Sequence, residues 1–149
     1  MMELILWRHA EAADGTPDHT RELTAKGSKQ AAKVAAFLHR HLPDHHRILV
    51  SPATRTQQTA SALTHHYTLA PTLAPGASAE AVLHAAQWPD EGGTVLIVGH
   101  QPTLGEVAAQ LLGCADASLS IKKGAVWWFS RHEGSAQVTL RLVITPDLL

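Results

Sequence analysis

Cysteine is nearly absent from this sequence of 149 residues, since Cys114 is the only one. A lone cysteine excludes an intrachain disulfide, and nothing in the composition favours an oxidising compartment. An excess of charge is also missing, because 12 basic and 13 acidic side chains give a formal net charge of −1. That balance excludes a global attraction to nucleic acid or to an anionic membrane. We therefore predict a cytoplasmic protein with neither kind of partner.

Long hydrophobic runs, repeats, low-complexity stretches and linkers are missing as well. The N-terminal apolar run from Leu4 to Trp7 is far shorter than a signal-peptide core or a membrane span, and two polar residues follow it. Hydrophobic residues nevertheless make up 45% of the chain, enough to bury a sizeable core at this length. The sequence therefore predicts one domain over residues 1–149.

Histidine, by contrast, is abundant, with 11 residues. Several lie at predicted helix ends and turns: His39, His41, His45, His46, His65 and His66. None of these has a thiolate or carboxylate partner at the spacing that a metal site uses. We therefore predict neither a metal site nor another cofactor.

Short apolar runs alternate with longer amphipathic segments along most of the chain. The runs Glu3 to Trp7, Arg47 to Val50 and Thr94 to Val98 have the continuous apolar character of strands buried on both faces. Near the C-terminus, Ala125 to Ser130 and Val138 to Ile144 flank a polar turn and indicate an antiparallel hairpin. The pattern predicts a three-layer α/β/α sandwich with a mostly parallel central sheet and this hairpin at one edge.

Four amphipathic segments predict the helices that cover this sheet. The first begins at an N-cap on Thr24 and ends before Pro43. The others lie over residues 52–63, 78–87 and 102–112, with prolines in the first turns of the second and the last. The helices predicted over residues 52–63 and 102–112 each start just after a predicted strand.

Polar residues follow three of the predicted strands at the point where each strand ends. Arg8 and His9 follow the first, Ser51 and Arg55 the second, and His100 the third. Ligands of open α/β sheets bind outside the carboxyl ends of the strands. If the strands are parallel, these three clusters meet in one crevice.

The residue types in this crevice suit a tetrahedral dianion such as a phosphoryl group. Arg8 and Arg55, with Arg21 available from the polar loop 14–22, offer planar donors that match phosphate oxygens. A neutral imidazole of His9 can attack phosphorus, and nearby arginines disfavour its protonation. Cys114 follows a helix far from the strand ends, so it is poorly placed as a nucleophile.

Four blocks in order resemble the motifs of the histidine phosphatase superfamily, the group that contains phosphoglycerate mutases, fructose-bisphosphatases and phosphohistidine phosphatases. They are Leu-Trp-Arg-His-Ala-Glu-Ala at residues 6–12, the segment 21–31, the segment 51–60, and Gly-His-Gln-Pro-Thr-Leu at residues 99–104. They occur in the order of the family and extend from residue 6 to residue 104 of the chain. The C-terminal hairpin and the Pro-Asp-Leu that follows it are similar to the end of the small bacterial SixA-type members.

The resemblance implies a role for each matching residue. His9 would be the nucleophile that becomes phosphorylated, Arg8, Arg55 and His100 would hold the phosphoryl group, and Arg21 would complete the pocket. Larger members of the family carry an acidic general acid between the third and fourth blocks, where this chain offers Glu80. The opening motif commonly has glycine after its histidine, and Ala10 stands there in this chain.

The substrate expectation follows from the small size of the chain and from the leaving group. An alkoxide must be protonated as it leaves, whereas an imidazole whose other nitrogen is already protonated leaves as a neutral base. We therefore expect a phosphatase of the SixA type that dephosphorylates phosphohistidine on a histidine phosphotransfer domain or a phosphocarrier. Two alternatives stay open: a phosphatase of small phosphate esters that uses Glu80 as its acid, and a noncatalytic phosphate-binding module.

Overall fold

A six-stranded sheet forms the centre of the protein in the computed structural model, which describes residues 1–149. Its strands are β1 (Met2–Arg8), β2 (His46–Val50), β3 (Thr68–Leu69), β4 (Gly93–Gly99), β5 (Val126–Arg131) and β6 (Thr139–Ile144). The spatial order is β3-β2-β4-β1-β5-β6, with parallel pairing from β3 to β1 and antiparallel pairing of β5 and β6 beyond. The predicted mostly parallel sheet with a C-terminal hairpin at one edge is confirmed.

Four helices cover the two faces of this sheet: α1 (Ala25–His41), α2 (Thr54–Ser61), α3 (Ala79–Ala86) and α4 (Thr103–Leu111). One buried cluster joins α1 and α2 to the side chains of Ile5 and Trp7 on β1. The other joins α3 and α4 to Leu4 and Leu6, the alternate residues of the same strand. Because β1 is buried on both faces, its apolar run is continuous, and the predicted three-layer sandwich is confirmed.

The first helix forms where the periodicity predicts it. The Thr24 hydroxyl accepts a hydrogen bond from the main-chain N–H of Gly27 at 2.9 Å and so caps the helix. Val34 and Leu38, which follow at helical spacing, are completely buried against the sheet. Truncation of Leu38 to alanine would cost about 2–5 kcal/mol of stability. This packing fixes α1 beside the loop that follows β1.

Gly27 lets α1 approach that loop closely. A Cβ atom at this position would lie 1.9 Å from the main-chain oxygen of Glu11, which no side chain can tolerate. The side-chain oxygen of Gln30, one turn later, accepts the main-chain N–H of Glu11 at 2.9 Å. The segment that carries the predicted nucleophile is therefore held directly against α1.

Two local features differ from the sequence predictions. The two-residue strand β3 was not predicted, because its only strand partner is β2 and a pair of residues carries no periodicity. Helix α2 begins at Thr54 and Pro52 precedes it, so the predicted start was two residues early. No helix of the protein is both long and apolar enough to cross a membrane.

Candidate active site

His9 lies at the carboxyl end of β1 and is 8% exposed. Its main-chain N–H donates to Gly99 at 3.1 Å, and the Nδ1 atom of its ring lies 2.7 Å from the carbonyl oxygen of Ala10. Burial lowers the pKa of His9 to about 4. The bond to Ala10 opposes this shift, and the charges of Arg55, Arg8 and Arg21 add to it. The imidazole is therefore neutral at pH 7, as a nucleophile must be.

His100 follows β4 and faces His9 across the edge of the sheet. The centroids of the two rings are 5.3 Å apart, and the planes are tilted by 56°. The Nε2 atom of His100 lies 2.7 Å from the hydroxyl oxygen of Ser51, which follows β2. Burial lowers the pKa of His100 to about 3, and the neighbouring His9 and Arg55 act in the same direction. Three strand ends thus contribute to one buried cluster.

The contact with His100 shows what Ser51 does in the fold. Ser51 does not cap the helix that follows it, because the N-cap of α2 is Ala53 and no side-chain hydrogen bond caps this helix. The Ser51 hydroxyl contacts the N–H of Ala53 only at 3.4 Å, whereas its contact with His100 is short and completely buried. The strand ends bring these two residues to one edge of the sheet, but no sequence signal predicts the hydrogen bond between them, because they are 49 residues apart.

Arg8 and Arg55 both lie near His9, and each is held by a main-chain carbonyl oxygen. The Nη1 atom of Arg8 donates to the carbonyl oxygen of Ile121 at 2.9 Å, and burial lowers the pKa of this arginine. Arg55, in the first turn of α2, is 4% exposed and donates through Nη1 to the carbonyl oxygen of Asp18 at 2.9 Å. Both guanidinium groups are therefore fixed by main-chain oxygens.

Asp18 is a site residue that sequence reasoning missed. Its carboxylate accepts from Arg21 Nη1 at 3.0 Å and from Arg55 Nη2 at 3.1 Å, so it bridges two of the three predicted arginines. The bond from Arg21, with that from Arg55, holds the pKa of Asp18 below its usual value. Arg21 also donates from Nε to the carbonyl oxygen of Ala13 at 2.8 Å. The three-residue spacing between Asp18 and Arg21 permits this pair, but no helical periodicity in the loop 14–22 predicts it.

Glu80 lies in the first turn of α3, as predicted, and is bound to the neighbouring helix. Its carboxylate accepts from the side-chain amide of Gln110 on α4 at 2.9 Å. Hydrogen bonds from the main-chain N–H of Glu80 and from the Gln110 amide lower the pKa of this carboxyl. These surroundings favour the ionised form, whereas a general acid must carry a proton. The assignment of Glu80 as the acid stays a prediction.

The buried polar atoms without a partner gather in this cluster. Only three buried side-chain nitrogen or oxygen atoms of the protein lack a hydrogen bond: Nε of Arg8, Nε of Arg55 and Nδ1 of His100. A buried donor without an acceptor costs about 1–3 kcal/mol. Arginine Nε always carries a hydrogen, and neutral His100 carries one on Nδ1 when Nε2 accepts from Ser51. The arrangement therefore presents N–H donors suited to the oxygens of an anion.

A sequence model of the histidine phosphatase superfamily (branch 1) matches residues 4–78, which carry His9 and all three arginines of the cluster. The chain belongs to this superfamily. This membership supports phosphatase activity, and it confirms the resemblance of the sequence blocks.

Individual histidine phosphatases extend the likeness over most of the chain. A phosphohistidine phosphatase SixA homolog of Haemophilus influenzae is 34% identical over an alignment of 128 positions, which covers 75% of this chain and 78% of the relative. A structure of the candidate phosphohistidine phosphatase SixA of Nakamurella multipartitia is 30% identical, covers 97% of this chain and 96% of its own, and superposes with a TM-score of 0.79. The chain is therefore similar to SixA-type members in sequence and fold.

A structure of the protein histidine phosphatase SixA complexed with tungstate has a TM-score of 0.84. It is 24% identical and covers 99% of both chains, so the likeness concerns the fold. The fold described above is thus similar to the fold of that structure over nearly the whole chain.

Proposed function

We propose that this chain dephosphorylates phosphohistidine on a signalling or phosphotransfer protein, through a covalent phosphohistidine on His9. The observation that carries the proposal is the convergence of the unpaired donors of Arg8, Arg55 and His100 around a buried neutral imidazole. Donors that are held in place before the reaction need little reorganisation as charge develops in the transition state. Similarity to SixA-type relatives supports the choice of substrate.

In the first step of the proposed reaction, His9 takes the phosphoryl group. The lone pair of Nε2 attacks phosphorus, the bond from phosphorus to the substrate nitrogen breaks, and its electron pair stays on that nitrogen. The substrate imidazole leaves as a neutral base when its other nitrogen is protonated. Arg8, Arg55 and His100 donate to the phosphoryl oxygens, and Arg21 adds positive charge at the entrance. Every element of this step is supplied by the chain itself.

In the second step, water removes the phosphoryl group from His9. The water oxygen attacks phosphorus, the bond to Nε2 breaks, and its electron pair returns to His9 as the nucleophilic lone pair. Both protons of the water leave with the product as dihydrogen phosphate. The proton on Nδ1 stays throughout in its bond to the Ala10 carbonyl, and it makes the phosphorylated ring a cationic, good leaving group. The cycle therefore restores the starting enzyme.

The surroundings of Glu80 favour this substrate over an alkyl phosphate. An alkoxide needs a proton donor, and Glu80 has a lowered pKa and is held by Gln110. No proton has to be delivered to a phosphohistidine whose free ring nitrogen is protonated. The proposed activity therefore does not depend on a dedicated acid.

A substrate panel tests nucleophile, acid and substrate class together. Purified wild type, His9→Ala and Glu80→Gln are compared on a phosphohistidine peptide, phosphoserine and a sugar phosphate by phosphate release. We expect wild type to prefer phosphohistidine by at least about a hundredfold, His9→Ala to be inactive, and Glu80→Gln to change kcat by less than about twofold.

Other results of this panel would support the alternatives. A preference for phosphoserine or the sugar phosphate, lost in Glu80→Gln, would assign the chain to small phosphate esters with Glu80 as the acid. Phosphate binding that persists in His9→Ala, with no turnover by wild type, would indicate a noncatalytic module. Either outcome overturns the proposal.

A further inference from the structure

All five lysines of the chain lie around one groove beside the candidate active site. The groove has a volume of about 780 Å³ and is lined by Lys26, Lys29, Lys33, Lys122 and Lys123, with Arg8 also in its wall. Asp147 is the one acidic residue among them. The chain as a whole has a formal charge of −1, so this concentration of positive charge is local. We call this feature the lysine groove.

Helix α1 forms one wall of the lysine groove and two loops form the other. Lys26, Lys29 and Lys33 are spaced by three and four residues, so they form a single stripe on α1. Lys122 and Lys123 come from the segment before β5, and the C-terminal turn after β6 carries Asp147. The stripe on α1 is about 10 Å long, because a helix rises 1.5 Å per residue.

The positive charges of the lysine groove are only partly neutralised within the protein, by Asp147 near Lys33 and Lys122. The three ion pairs of the structure all involve arginines and lie elsewhere. No lysine side chain donates a hydrogen bond, and all five lysines are exposed. Five lysines and one arginine against a single carboxylate leave a net positive charge, which attracts anions. The groove therefore has the electrostatic character of a binding surface for a partner with several negative charges.

Hydrogen bonds connect the lysine groove to the active site. The main-chain N–H of Gly124 donates to the carbonyl oxygen of His9 at 3.1 Å, and Arg8 donates to the carbonyl oxygen of Ile121 at 2.9 Å. The Lys122 and Lys123 pair lies between these two anchors. The segment that carries Lys122 and Lys123 is therefore tied to the strand end that carries His9.

We propose that the lysine groove docks an acidic segment of the phosphoprotein substrate next to its phosphorylated residue. This inference rests on the proposed function and adds the recognition of the protein around the phosphoryl group. The phosphoryl group already has arginine and histidine donors, so five further lysines serve other anions. Lysine is a flexible, strongly hydrated point charge that suits repeated carboxylates along a chain and the steering of an encounter. A row of glutamates or aspartates matches the length of the α1 stripe.

Peptides with matched flanks measure this recognition. A phosphohistidine peptide followed by a run of glutamates is compared with one followed by the same number of glutamines, and phosphoramidate serves as a substrate with no flank. We expect kcat/KM to be about tenfold higher for the glutamate peptide at low salt. The two peptides should become equal in about 1 M NaCl, where the Debye length is ~3 Å.

Charge reversal locates the effect. The variant K29E/K33E should lose the preference for the glutamate peptide while its kcat/KM on phosphoramidate stays within about twofold of wild type. The matched control is R40E/R131E, which makes the same change in net charge at residues outside the groove that donate no side-chain hydrogen bond. This control should keep the preference. Equal loss in both variants would show a general charge effect and overturn the proposal.

The same design separates the lysine groove from the proposed phosphohistidine chemistry. Fluorescence anisotropy of a labelled, unphosphorylated glutamate peptide reports binding without turnover, and K29E/K33E should abolish it. If phosphoserine peptides react faster than phosphohistidine peptides, the proposed substrate fails while the glutamate preference still tests the groove. The docking proposal would be overturned if the labelled glutamate peptide did not bind. It would also be overturned if tripolyphosphate displaced this peptide at a much lower concentration than the unlabelled glutamate peptide does.

Discussion

The Nδ1 atom of His9 lies 2.7 Å from the main-chain carbonyl oxygen of Ala10. A carbonyl oxygen only accepts hydrogen bonds, so Nδ1 carries the proton and the lone pair of the neutral ring is on Nε2. The carbonyl belongs to the residue that follows the histidine, which means that the main chain itself sets the tautomer. Ala10 is completely buried, so this arrangement is rigid.

The first prediction is that phosphorylation occurs on Nε2 of His9. Brief reaction with phosphoramidate, alkaline quenching and phosphorus NMR of the trapped enzyme should give the Nε2-phosphohistidine signal, and peptide mass spectrometry should place it on His9. The variant His9→Ala should remain unlabelled. Detection of the Nδ1 isomer would show that the bond to Ala10 breaks before attack.

The second prediction concerns the pH dependence of the reaction. The pKa of His9 is lowered from 6.5 to about 4, mainly by burial, so its lone pair is lost only when the pH falls through about 4. We expect kcat/KM for phosphoramidate, corrected for ionisation of the substrate, to show no loss at the ordinary histidine pKa and to fall below about pH 5. Circular dichroism at each pH provides the control for unfolding. A decline centred near pH 6.5 would contradict the lowered pKa.

Much of the site was predictable because its positions follow from a local pattern and one topological rule. The apolar runs of β1, β2 and β4 identify buried strands, and the residues after parallel strands meet at one edge. That reasoning brings His9, Ser51 and His100 together before any contact is known. Arg55 follows because it lies in the first turn of the helix after β2.

Other parts of the site depend on contacts that no local pattern records. Asp18 lies in a polar loop without periodicity, and only the folded loop places its carboxylate between Arg21 and Arg55. The lysine groove has the same origin. The stripe on α1 is visible in the sequence, but Lys122 and Lys123 join it only because β5 pairs with β1.

The third prediction tests Asp18 as an internal competitor of the phosphoryl group. Its carboxylate engages two guanidinium groups that the proposed function assigns to phosphate, so removing its charge should strengthen phosphate binding. Asp18→Asn should lower the inhibition constant of inorganic phosphate by about fivefold, which corresponds to about 1 kcal/mol for a partly exposed charge. The control is Asp14→Asn, a change of equal charge at an exposed position of the same loop that forms no ion pair. Weaker inhibition in Asp18→Asn would mean that the carboxylate orders the arginines for the ligand.

The fourth prediction assigns Ser51 as a positioning residue that acts through His100. Because burial keeps His100 neutral, its ring has a single N–H, and a hydroxyl that donates to Nε2 places that hydrogen on Nδ1, the unpaired atom. Ser51→Ala should release this constraint and lower kcat by about tenfold, as expected for one buried hydrogen bond of about 1.4 kcal/mol.

Nitrogen NMR of the wild type should show Nδ1–H on His100, and Ser51→Ala should show a mixture of tautomers. Ser61→Ala, which removes a hydroxyl from α2 away from His100, should change neither quantity. An unchanged tautomer together with a lowered kcat would assign Ser51 a structural role only.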